Sequence, residues 1–175
     1  MSGSEIWPVE ANDLEELLVE VLGSMFEEEA LPAWDEPLWD PPLAVSRIGI
    51  AAGGIEKDHE TVVEIQVGAV LARLVAGRMF GAAAPSAEDL MDAVGELGNI
   101  LGGNVKTLLH AHARLSLPSS RMVSEPAGAE TEGAVRARAV VLGQVAELVV
   151  RPGESLEGLE WPPVAQDGDV VEATR

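Results

Sequence analysis

The stretch from Ser86 to His112 constrains the architecture of this chain more than any other. Leu90, Val94, Leu97, Leu101, Val105 and Leu108 recur at the spacing of one helix face. Asp92, Glu96, Asn99, Gly103 and Lys106 fall within about 40° of the opposite direction. This division over so many turns predicts one long helix, opened by Ser86 with Asp89 at the capping-box position. Gly95, Gly98 and Gly102 line one flank at i, i+3 and i+7. Each costs about 1 kcal/mol against alanine in a helix interior. Either another element packs closely on that flank, or a partner's backbone uses it to reach Glu96 and Asn99; the two readings are compatible.

A helix with one apolar face needs a surface to lie on, and the flanking sequence offers one. "AVSRIGI" and "TVVEIQV" read as strands of a hairpin around "AAGGIEKDHE". Leu71, Leu74, Val75 and Met79 mark a helix stopped by Gly81 and Pro85. "RLSLPSS" reads as a strand, and "AVRARAVVLGQVAELVVR" as a hairpin turning near Leu142-Gly143-Gln144. Upstream, Asn12 with Glu15 predicts a capped first helix carrying Leu14, Leu18, Val21, Leu22 and Met25, ending near Glu29. The connector "LPAWDEPLWDPP" reads as ordered, with Trp34 and Trp39 as packing anchors. The element order predicts an α/β (α+β) fold, an antiparallel sheet of about five to six strands on two or three helices. Residues 1–11 read as a flexible acidic terminus, 12–151 as the folded domain, and 152–175 as a disordered acidic tail.

Eleven basic against 30 acidic residues give a net charge of −19, which repels nucleic acid and anionic membranes and suits a basic protein partner. The chain has no cysteine, so disulfides and thiolate metal sites are excluded, and a reducing cytoplasm fits. The first residues lack a signal-peptide pattern. The apolar run Val67–Phe80 is interrupted by Arg73 and Arg78 and is too short to span a bilayer.

The polar row of the long helix has unusual chemistry for an enzyme. Asparagine cannot act as a base, but it donates and accepts hydrogen bonds and can orient a water molecule. Asp92, Glu96 and Asn99 along one exposed helix make a poor cation cage, so no metal is expected. "GELGNILGG" lacks the pattern of a phosphate-binding loop. His110 and His112 do not share a helix face, and Ser119 and Ser120 have no histidine partner in view.

"DAVGELGNILGGNVK" resembles the signature helix of the CheC/CheX/FliY chemotaxis phosphatases, most closely the CheX-like ones. The family pattern is an Asp or Ser, three residues, Glu, two residues, Asn, and a proline further on. Asp92, Glu96 and Asn99 match that spacing, and Pro118 resembles the proline, a few residues closer than usual. Gly103, Asn104 and Lys106 resemble a frequent Gly-Asn-x-Lys, and residues upstream resemble the strand, turn, strand and helix that lead into the signature. The resemblance spans about residues 10 to 151.

It implies hydrolysis of the aspartyl phosphate of a CheY-type response regulator. Asn99 would position the attacking water, Glu96 would pair with a regulator lysine, and Asp92 would support the contact. Gly95, Gly103 and Lys106 would face the partner. Mg²⁺ would sit on the regulator, and this chain would need no cofactor of its own. The resemblance also implies a cytoplasmic homodimer joined through a sheet edge. The arginines of "AVRARAVV" could equally be gatekeepers that block edge pairing. The first helix carries no second ExxN, since Glu16 and Glu20 are followed at the third position by Val19 and Gly23. The alternative reading is a non-catalytic adaptor, or a flagellar-switch-like subunit, that docks a regulator or kinase.

Overall fold

A computed structural model of the protein describes residues 9–52, 60–109, 112–126, 132–152 and 156–163. The elements run α1 (Ala11–Phe26), β1 (Ala30–Pro32), β2 (Leu43–Ala52), β3 (Glu60–Gly68), α2 (Ala69–Phe80), α3 (Ala87–Leu108), β4 (Ala113–Leu115), β5 (Ser119–Val123), β6 (Val135–Val141) and β7 (Gln144–Pro152). The seven strands form one antiparallel sheet in the order β1-β6-β7-β3-β2-β4, with β5 also paired to β2. The expected fold class holds, with a longer strand count. β1 comes from the connector, and Pro118, which has no N–H to donate, divides the outermost strand into β4 and β5.

Alternation along the strands separates the two faces of the sheet. Val63, Ile65 and Val67 of β3, Leu148 and Val150 of β7, and Ala137, Ala139 and Val141 of β6 join the apolar core with the helices. Into it α1 places Leu14, Leu18 and Leu22, and α3 places Leu90, Val94, Leu97, Leu101 and Val105, all buried. Each such side chain contributes about 2 kcal/mol by leaving water. The β6–β7 hairpin closes through Leu142 and Gly143, both at positive φ, as the two-residue turn of a right-twisted hairpin requires.

The opposite face carries charge. Glu64 lies 3.5 Å from Arg47 and 3.3 Å from Arg151, and Glu147 lies 2.7 Å from Arg136 and 3.0 Å from Arg138. Both carboxylates are buried. Burial opposes the charge on Arg138, but hydrogen bonds to Glu147 and Glu36 outweigh it and raise its pKa. Both arginines of β6 pair with acids, and β1 covers the outer side of β6 over Ala139–Val141.

Several local expectations give way. The cap of α1 is Glu10, reciprocated by Asp13, rather than Asn12. The earlier start buries Val9 before the cap against the same core as Leu14, the arrangement of a hydrophobic staple. Trp34 is 80% exposed and donates its indole N–H to Glu15 at 3.1 Å, so it is not a packing anchor. Part of the expected disordered tail is placed. Leu156 is buried, and Leu159 comes within 2.8 Å of where a Cβ on Gly49 would sit. Helix α3 ends at Leu108, four residues before His112. The expected turn between β2 and β3, with His59, and His110 lie outside the described residues.

Candidate functional site on helix α3

Helix α3 lies across β2 and β3 and beside α2. Ser86 caps it, accepting from the Asp89 N–H while Asp89 accepts from the Ser86 N–H at 2.7 Å. That backbone hydrogen bond, with a second from the Ser86 hydroxyl, holds the Asp89 carboxyl below the usual carboxylate range.

The glycine flank faces the sheet. A Cβ on Gly98 would lie 2.7 Å from the Ser46 hydroxyl oxygen and 3.2 Å from its Cβ; one on Gly102 would lie 3.0 Å from an Ile48 methyl. Absence of side chains there lets α3 settle onto β2, and the close-packing reading of the glycines is the observed one. Gly95 is buried, with Pro118 and Ser120 of this chain 3.1–3.5 Å from its would-be Cβ, and it lies in the floor of the groove beside Asp92 and Glu96.

The opposite side remains open. Asp92 and Glu96 are exposed, and Asn99, one turn further, is half-buried. The Asn99 amide donates to a Glu96 carboxylate oxygen at 3.4 Å, so the two side chains lie together. Gly103 has nothing within 4 Å of its would-be Cβ, and Lys106 is partly exposed in the last turn. The structure thus gathers Asp92, Glu96 and Asn99 on one accessible face, with Gly103 and Lys106 continuing along the same side of the helix. Further residues complete the surroundings, of which the sequence did not single out Phe80 and Met91. Phe80, Met91, Pro118 and Ser120 join Asp92, Gly95 and Glu96 around a shallow groove of about 510 Å³. Phe80 is half exposed, although large apolar side chains usually turn inward. Its position just before the Gly81 stop was the available signal.

Among the described residues no three His, Cys, Asp or Glu side chains gather as a metal ion would require. His112 is exposed. No helix among them is long and apolar enough to cross a membrane. The row can present an amide and carboxylates to something outside the chain.

Residues 50–136 match the family model described as chemotaxis phosphatase CheX, a span that contains Asp92, Glu96, Asn99 and Pro118. The chain is a CheX-like member of the CheC/CheX/FliY family. Solved structures share the fold of this CheX-like chain. A chemotaxis protein CheX from Vibrio vulnificus is 18% identical with TM-score 0.63, covering 79% of this chain and 95% of that one. A CheC-like protein from Shewanella oneidensis is 18% identical with TM-score 0.62, covering 79% and 94%. A CheX–CheY–BeF3–Mg²⁺ complex from Borrelia burgdorferi is 18% identical with TM-score 0.57, covering 82% and 97%. No curated protein sequence matches the chain.

Proposed function

We propose that this chain hydrolyses the aspartyl phosphate of a CheY-type response regulator. Asn99 orients the attacking water, Glu96 pairs with a regulator lysine, and Asp92 extends the contact. The observation that carries the reading is the placement of Glu96 and Asn99 together on the accessible face of α3. The CheX family is one of chemotaxis phosphatases, and the fold neighbour that contains CheY and Mg²⁺ supports the partner class.

The chemistry suits so sparse a site. In-line phosphoryl transfer needs positioning and charge stabilisation more than covalent chemistry. The regulator supplies the phosphoaspartate and binds Mg²⁺, the only cofactor involved. This chain supplies an amide that accepts from and donates to a water, and carboxylates that complement a cationic active site. Gly103 leaves room beside this row, and Lys106 stands at its far end. The partner meets a helix whose position the sheet has already fixed, so little ordering is left to binding.

The test follows loss of phosphate from a cognate phosphorylated regulator. Wild type should accelerate it, and Asn99→Ala should lose about 10²-fold of that acceleration while still binding. Equal rates with both proteins would overturn the assignment. Tight binding with unchanged phosphate lifetime would point to the adaptor reading.

A further inference from the structure

A second groove runs between α1 and α3, on the side of α3 away from Pro118, and encloses about 760 Å³. Leu17, Val21 and Met25 of α1, Met79 of α2, and Ile100 and Leu108 of α3 make its apolar lining. Asp13, Glu16 and Glu20 form its rim along α1. The α3 rim is neutral: Asn104 donates to the Ile100 carbonyl and Thr107 to the Gly103 carbonyl, so both are turned onto their own helix. Among the described residues the one cation lining the groove, Arg78, is already engaged by Glu27 and the Met25 carbonyl.

The α1 rim is electrostatically unbalanced. Glu16 and Glu20 stand at i and i+4, where like charges destabilise a helix, and α1 contains no lysine or arginine. Among the described residues neither carboxylate forms an ion pair. A second copy of this chain would bring another −19 and add to the repulsion. A cationic occupant would remove it while covering the apolar lining.

We propose that the α1–α3 groove docks a basic amphipathic helix of a partner protein, its apolar face on Leu17, Val21, Met25 and Ile100 and its lysines or arginines on Asp13, Glu16 and Glu20. The groove is separate from the Asp92–Pro118 groove, and the proposal stands whether or not α3 is catalytic.

The experiment measures fluorescence anisotropy of a labelled synthetic peptide as long as α1, with leucine at i, i+3, i+4 and i+7 and lysine elsewhere, at physiological salt. Wild type should bind it, and should bind a scrambled peptide of the same composition about tenfold more weakly. Glu16→Lys with Glu20→Lys, both exposed positions, should weaken binding about tenfold. Glu28→Lys with Glu29→Lys, an equal charge change outside the groove, should change it less than about threefold. Circular dichroism establishes that both double variants fold. No binding by wild type overturns the proposal. Equal binding of the scrambled peptide, or equal losses in the two double variants, also overturns it and assigns the attraction to the general field of the chain. Sedimentation showing that the groove variants break a dimer would assign the groove to a second copy and equally overturn it.

Discussion

Helices α1 and α3 lie on the same face of one sheet, and each begins with a reciprocal capping box, Glu10 with Asp13 and Ser86 with Asp89. They are held by opposite means. α1 stands on three fully buried leucines, so bulk fills the space beneath it. α3 also buries leucines, but along the flank over β2 it presents glycine to Ser46 and Ile48. A helix seated on side chains can shift as they repack. One whose own backbone rests directly on the short Ser46 and the β-branched Ile48 side chains has fewer ways to move, because it brings no side chain of its own to that contact. Only the second kind carries the row of Asp92, Glu96 and Asn99. The difference teaches that α1 serves stability and that α3 gives up helix propensity for a fixed position.

The contrast breaks most visibly in the leucines beneath α1. Leu18→Ala should cost about 3 kcal/mol in denaturant unfolding, because a fully buried side chain leaves a cavity. It should leave the α3 phosphatase assay nearly unchanged once the variant is folded. Gly98→Ala on α3 should cost about 1 kcal/mol net, overpacking against Ser46 outweighing the gain in helix propensity. In a Ser46→Ala background, which removes the hydroxyl at 2.7 Å, most of that loss should disappear. If Gly98→Ala stabilises the protein outright, glycine is not what seats α3 on β2. Gly103→Ala, with open space above it, should instead stabilise by about 1 kcal/mol, and any accompanying loss of regulator binding would place the partner over that position. The smallest effect concerns the caps. The Asp89 carboxyl is lowered first by the Ser86 N–H and then by the Ser86 hydroxyl, so its contribution is present above the ordinary aspartate value and lost as pH falls through the depressed one. Ser86→Ala removes only the smaller, hydroxyl contribution, whereas Asp89→Asn removes the carboxyl itself, so Asp89→Asn should flatten the acid limb of stability against pH the more, read by denaturant midpoints below about pH 4.

Much of this was legible because it rests on local periodicity. The long helix, the β6–β7 turn and the Asp92–Glu96–Asn99 row follow from spacing along one segment. What escaped depends on partners distant in sequence. The glycine flank has two sensible readings until Ser46 and Ile48 are known to lie beneath it, and Gly95 lies beneath Pro118 and Ser120 for the same reason. β1 is three residues ending in proline, too short to carry an alternation of its own. The alternating arginines of β6 were visible, but Glu147 and Glu36, which give them a purpose, lie 9 and 102 residues from Arg138. The cap of α1 moved because Val9, which periodicity had no reason to include, found a place in the core.

The charged face of the sheet also carries information. On the apolar face Val63, Ile65 and Val67 are nearly interchangeable, so β2 sliding along β3 by two residues would bury much the same surface. The same slide would set Arg47 opposite Val62 or Gln66 instead of Glu64, taking one of two guanidinium partners from a buried carboxylate that Arg151 of β7 would still hold. The charges work as a key that rejects near-miss alignments which hydrophobicity alone would accept. Because α3 rests on Ser46 and Ile48 of that same β2, the key also fixes where along the strand the helix, and with it Asn99, comes to rest.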